Sequence, residues 1–117
     1  MSLRPGEVVR ALALSLPHEP LPGEDVEAGA PTTGWVSLGG YAEAEVGVWE
    51  MTPGTAVDVE IDEVFVVLAG RASVEFTDAS APAIDLSAGD LVRLDAGMRT
   101  RWIVTETLRK VSVIANG

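Results

Sequence analysis

Between Val57 and Val67 the chain reads VDVEIDEVFVV, and every odd position but one is apolar: Val57, Val59, Ile61, Phe65 and Val67. In the first half Asp58, Glu60 and Asp62 fill the even places. A period of two predicts a strand with one dry face and one wet face. Glu63 falls in register with the apolar set, so a carboxylate is expected on the dry face. The ladder of Asp58, Glu60 and Asp62 is expected to face solvent. A bulge at Asp62-Glu63 would shift the alternation by one and turn Glu63 outward instead.

The same pattern of short apolar runs broken by turn residues continues along the chain. GWVSLGG leads into a strand in EAEVGVWEM, and TPG (Thr52 to Gly54) is a turn. AVDVEIDEVFVVLAG reads as one long strand ending at Gly70. RASVEF is the next strand, closed by the loop TDASAPA; IDLSAGD and LVRLDAG each give a strand and a turn. TRWIVTE and RKVSVIA read as two last strands. Gly70, Gly89 and Gly97 are expected at turns that need positive φ. No helical periodicity competes, and the expected fold is an all-β sandwich or barrel. Residues 1–34 differ: Pro5, Pro17, Pro20, Pro22 and Pro31, with Gly23 and Gly29, predict an irregular arm. Residues 35–117 are assigned to the barrel.

Composition narrows the partners. The chain has 117 residues, enough for one domain with a core, and its 47% hydrophobic content argues against disorder. No apolar run approaches the roughly 20 residues that span a bilayer. The net charge of −10 disfavours nucleic acid and anionic membrane surfaces. With no cysteine, disulfides and thiolate chemistry are excluded. The N-terminal run ALALSL lacks a strong basic flank and a cleavage site, so a cytoplasmic protein is expected. No Lys or Arg occurs from Ala11 to Gly70, against eleven acids, whereas six of the eight cations fall between Arg71 and Lys110. Cations late in the chain are therefore expected to pair with earlier acids, within one chain or across a dimer.

Two segments carry a family resemblance. Glu63, six intervening residues and Gly70 (EVFVVLAG) resemble the end of the first cupin motif; Gly89 and DLVRLDAG through Gly97 resemble the start of the second. From Trp35 to Ile114 the chain is similar to the small cupins grouped around the cupin domain of (S)-ureidoglycine aminohydrolase, many of unknown function. The resemblance implies an RmlC-like jelly-roll β-barrel, commonly a homodimer. It also implies where a metal would bind in a metal-containing cupin. Counting three residues back from Glu63, the two histidine places of the first motif fall on Val57 and Val59, and that of the second on Thr100. Only Glu63 remains of that set, and the single histidine, His18, lies in the arm. No metal and no cofactor are expected.

What remains is a metal-free small-molecule-binding or catalytic cupin of unknown substrate, with the ligand in the barrel. Glu63 is the expected acid/base or anchoring carboxylate. A carboxylate in an apolar interior needs a cationic or strong donor partner. Lys110, the only lysine, is the first choice and Arg101 the second, with the Trp102 indole N–H as an additional donor. Phe65, Thr100, Trp102 and Trp49 are the expected ligand-binding positions; Trp49 and Trp35 also read as core aromatics. Arg99 and Arg101 flank Thr100 and should face the other way. The alternative is a non-catalytic binding or dimerisation module that has lost the metal site. An open cavity around Glu63 with convergent polar groups would favour the first reading, and a filled barrel the second.

Overall fold

The computed structural model describes residues 2–116. Nine strands follow in order: β1 (His18–Pro20), β2 (Val26–Gly29), β3 (Thr32–Tyr41), β4 (Ala44–Met51), β5 (Gly54–Val59), β6 (Glu63–Phe76), β7 (Ile84–Leu86), β8 (Leu91–Leu94) and β9 (Arg99–Ala115). The only helical piece among the described residues is a 3₁₀ turn, Gly23–Asp25. The two long strands organise the rest. β9 pairs antiparallel with β6 along most of its length, with β5 through Arg99 to Val104, and with β4 through Leu108 to Ala115. On its other edge β6 pairs with β8 near Glu63 and with β7 near Val74. The β6–β9 ribbon thus belongs to two layers: β1-β3-β4-β9-β6-β8 at one end and β2-β5-β9-β6-β7 at the other. This is the jelly-roll arrangement that the cupin resemblance implied, within the all-β sandwich or barrel that the turn spacing predicted.

The ribbon bends where its register slips, between Val67 and Ala72. Gly70 sits at the bend with φ of +93°, and a Cβ there would lie 2.1 Å from the Thr107 carbonyl oxygen. Only glycine fits that approach. Gly70 therefore marks a corner within β6 and not the end of a strand, and RASVEF continues β6. TRWIVTE and RKVSVIA likewise join into one seventeen-residue strand, β9. Gly89 and Gly97 take positive φ, +95° and +89°, in the turns before and after β8. Between the layers lies a core of Met51, Phe65, Val67, Val74, Leu86, Leu94, Trp102, Val104 and Leu108, each at most 5% exposed.

The long strand read from Val57 to Val67 is in fact two. β5 ends at Val59, three residues cross over, and β6 begins at Glu63. The crossover is pinned to the turn before β9: Glu60 N–H donates to Met98 O, Gly97 N–H to Glu60 O, and Ala96 N–H to Asp62 Oδ1. A break of this kind resets the alternation. In β5, Ala56 stands opposite Trp102 and Asp58 opposite Thr100, so even positions face inward. Val57 and Val59 stand opposite Arg101 and Arg99 on the outer face, and Val59 is half exposed. After the break the odd positions face inward: Glu63, Phe65 and Val67 are buried.

The arm is tied down on the outside. Arg109 donates to the carbonyls of Ala11 and Leu14 at 2.9 and 2.7 Å and to Glu50 at 2.7 Å. His18 bonds Glu50 through Nε2 at 2.8 Å and Thr32 through Nδ1 at 2.9 Å. Although burial pushes Glu50 up, Arg109 and His18 hold its carboxyl below the usual glutamate value.

Candidate functional site

A cavity of about 330 Å³ opens between β5 and the inner face of β4 and β9. β9 sends Trp102, Lys110, Ser112 and Ile114 to its wall; β4 sends Trp49 and Met51; β3 sends Trp35. Trp35 lies against Gly47, where a Cβ would meet its ring at 2.2 Å, so the absence of a side chain on β4 makes room for the indole. All three tryptophans of the chain line this one cavity.

Glu63 and Lys110 meet at its inner wall. Lys110 Nζ donates to Glu63 Oε1 at 3.2 Å and Oε2 at 3.4 Å, with the side chains 6% and 7% exposed. The ammonium also stands 4.6, 4.1 and 5.0 Å from the ring centres of Trp49, Phe65 and Trp102. Cation–π attraction offsets part of its lost hydration. Burial still pushes Lys110 below the ordinary lysine value, against the pull of Glu63, Glu60 and Asp58. Arg101 is not near Glu63. It lies on the outer face with Glu27 and Glu75.

A second buried carboxylate adjoins the pair. Glu60, expected in solvent with Asp58 and Asp62, is only 6% exposed, since it continues the inward even phase of β5. Its Oε2 accepts from Thr100 Oγ1 at 2.5 Å and from Trp102 Nε1 at 3.0 Å. The Trp102 indole therefore serves Glu60 and not Glu63. Both bonds end on the same oxygen, and Oε1 accepts none among the described residues. Asp58 stays exposed at the cavity mouth, yet partial burial and then the charge of Glu60 push its carboxyl up to about 6. Deeper in, Ser112 Oγ is the one buried side-chain polar atom among the described residues with no hydrogen-bond partner.

Of the six site residues read from the sequence, Glu63, Lys110, Trp49 and Trp102 line the cavity. Phe65 and Thr100 stand behind the wall, Phe65 under the Lys110 ammonium and Thr100 holding Glu60. The sequence reading missed Glu60, Asp58 and Ser112 as site residues. The signal for Asp58 lay in the cupin spacing, which admits four residues as well as three before the glutamate. The longer count puts the histidine places on Ala56 and Asp58, the positions that do face inward.

This donor set does not fit a transition metal. One of those inward places is an alanine, Thr100 spends its hydroxyl on Glu60, and Glu63 is held by an ammonium. His18 lies on the outside with Glu50. Among the described residues no three His, Cys, Asp or Glu side chains are grouped to hold a metal.

Residues 39–111 match the family model of the EutQ-like cupin domain. No curated protein matches the chain. Among solved structures, a protein of unknown function from Pseudomonas syringae pv. tomato superposes with a TM-score of 0.74 at 22% identity, covering 92% of this chain and 46% of its own. The Clostridium difficile EutQ protein superposes with a TM-score of 0.67 at 14% identity, over 93% of this chain and 86% of its own. A cupin superfamily protein from Desulfitobacterium hafniense gives 0.65 at 10% identity, over 99% and 95%. At these identities the likeness establishes the fold alone. No helix among the described residues is long and apolar enough to cross a membrane.

Proposed function

Since this chain belongs to the EutQ-like cupin family, we propose that it is a metal-independent cupin that takes a small polar molecule into its barrel, in the manner of the ureidoglycine-type cupins. The observation that carries this reading is the open cavity with Glu63, Lys110, Glu60 and the unpartnered Ser112 hydroxyl converging on it. A module kept only for packing would fill that volume, because buried polar groups without partners are costly. In this reading Glu63 anchors the ligand or exchanges a proton with it, and Lys110 holds Glu63 in place. Trp49 and Trp102 form the walls, backed by Phe65 and Thr100.

Tryptophan fluorescence tests the reading directly, since every tryptophan borders the cavity. A library of small polar metabolites is titrated with and without EDTA. Saturable changes that persist in EDTA and vanish in the cavity-filling variant Ser112→Leu support it. A response that needs added divalent metal, or that survives Ser112→Leu unchanged, overturns it.

We also propose a homodimer. Val64 and Val113 are paired neighbours on the outer face of β6 and β9, 39% and 42% exposed, and Leu91 on adjoining β8 is 73% exposed. An apolar stripe of this kind favours burial against a second copy. Light scattering at micromolar concentration should give twice the chain mass, and a monomer mass refutes the proposal.

A further inference from the structure

Resting on that reading, we infer that the cavity takes a small organic cation, an amine bearing a second polar group, with Asp58 and Glu60 as its counter-charges and Ser112 as the contact for its other end. The charge inventory of the cavity points this way. Three carboxylates, Asp58, Glu60 and Glu63, line it against one cation, Lys110. Lys110 is already engaged by both oxygens of Glu63. Arg99 and Arg101, the next cations along β9, stand opposite Val59 and Val57 on the outer face of the sheet. Asp25 adds a further acid at the mouth.

Asp58 and Glu60 are thus left with no cation of their own. Glu60 is fixed by Thr100 and Trp102 through Oε2 alone. Asp58 accepts only from the neighbouring Val59 N–H, at 2.8 Å, among the described residues. Burial first, and then the neighbouring charge of Glu60, hold the Asp58 carboxyl above its ordinary value, with Lys110 opposing and Asp25 adding a little. A positive ligand relieves that repulsion. An anionic one would have to take Lys110 from Glu63 and sit beside two further carboxylates.

The walls agree with the charge. Trp35, Trp49 and Trp102 present aromatic rings to the cavity, and such faces attract ammonium groups. The Ser112 hydroxyl lines the same cavity, 1% exposed and without a partner, so the occupant carries a donor or acceptor to meet it. The volume lies at the small end of ligand pockets, roughly 300–1,000 Å³, which limits the occupant to a few carbons between its polar ends.

Three probes of equal length separate charge from shape: 4-amino-1-butanol, 1,4-butanediol and 4-hydroxybutyrate, titrated against tryptophan fluorescence at pH 7.5. The aminoalcohol should saturate at a concentration at least about tenfold below either competitor, as expected for one charge-assisted hydrogen bond. Asp58→Asn, at the exposed mouth, should remove most of that preference. Glu60→Gln, which keeps an acceptor for Thr100 and Trp102, should reduce it as well. Equal or tighter binding of 4-hydroxybutyrate or 1,4-butanediol overturns the cation while leaving a ligand cavity in place. A preference for the aminoalcohol that is unchanged in both variants overturns the assignment of Asp58 and Glu60. If none of the three saturates, the cation inference falls, and the metabolite library separately decides whether the cavity binds anything.

Discussion

Replacing Lys110 by methionine separates the worth of the Glu63–Lys110 pair from the cost of breaking it. Both side chains are more than nine-tenths buried, and the ammonium is ringed by Trp49, Phe65 and Trp102. Methionine fills similar volume, so little of the effect comes from a cavity. What remains is Glu63, a carboxylate without its cation among aromatic rings. Leaving one partner of a buried pair uncompensated costs about 3–5 kcal/mol. The double variant Lys110→Met/Glu63→Leu removes both charges and should return to within about 1 kcal/mol of the parent, or exceed it, since well-packed apolar replacements of buried pairs are often neutral or stabilising. The assay is urea denaturation at pH 7 followed by far-ultraviolet circular dichroism, because tryptophan fluorescence would respond to the lost ammonium itself. A single variant within about 0.5 kcal/mol of the double would mean that the two groups do not depend on each other, and the reading of Glu63 as a charge held by Lys110 would be wrong.

Asp58 supplies a pH signature of opposite sense to most carboxylates. Its carboxyl sits at about 6 in the fold against 3.8 in an unfolded chain, so the folded state keeps a proton that the unfolded state has lost between those values. Its contribution to stability therefore falls as pH rises through that window. Asp58→Asn should melt above the parent at pH 7 and match it below pH 3.8; equal melting temperatures at both ends contradict the raised value. Gly47→Ala sets a Cβ 2.2 Å from the Trp35 ring and should cost about 1–3 kcal/mol, with a shifted emission maximum; an unshifted, equally stable variant contradicts the packing. Glu50 behaves in the ordinary sense: held below its usual value, it stabilises the fold above that value, and the benefit is lost as pH falls through the lowered one. Arg109→Ala removes the cation that ties the arm to Glu50, so limited proteolysis should clip within residues 2–14 before the barrel; simultaneous loss of both would show that the arm is not separately held.

Much of the barrel could be read from turn residues and periodicity, because those depend on neighbours in sequence. Gly89 and Gly97 mark turns in the chain and in the fold alike. Glu63 faces inward and meets Lys110, the first choice for it among the late basic residues, ahead of Arg101. The errors have one physical origin. Alternation holds only while a strand is unbroken, and VDVEIDEVFVV contains a crossover that no glycine or proline marks. Its cause is long-range: hydrogen bonds from Glu60 and Asp62 to the turn at Ala96 to Met98, more than thirty residues away. With the phase wrong before the break, Val57 and Val59 were placed inside and Glu60 outside. Ser112 was invisible for a related reason. A serine in a strand says nothing about whether its hydroxyl will find a partner, which depends on the empty volume that Gly47, Trp35 and β5 leave around it.

The three-residue crossover from Glu60 to Asp62 acts on the barrel as a reading frame acts on a message. Upstream of it the inward letters are Ala56 and Asp58, with Val57 and Val59 turned out; downstream they are Glu63, Phe65 and Val67. Lengthening or shortening the crossover by one residue, with the downstream strand held in place by β8 and β9, would exchange the upstream set. The side chains of Val57 and Val59, which now border the cavity only from the edge of β5, would take the inward places of Ala56 and Asp58. A single codon gained or lost there would exchange the inward acid of β5 for a valine, and would set Val57 in the core place that Ala56 fills opposite Trp102.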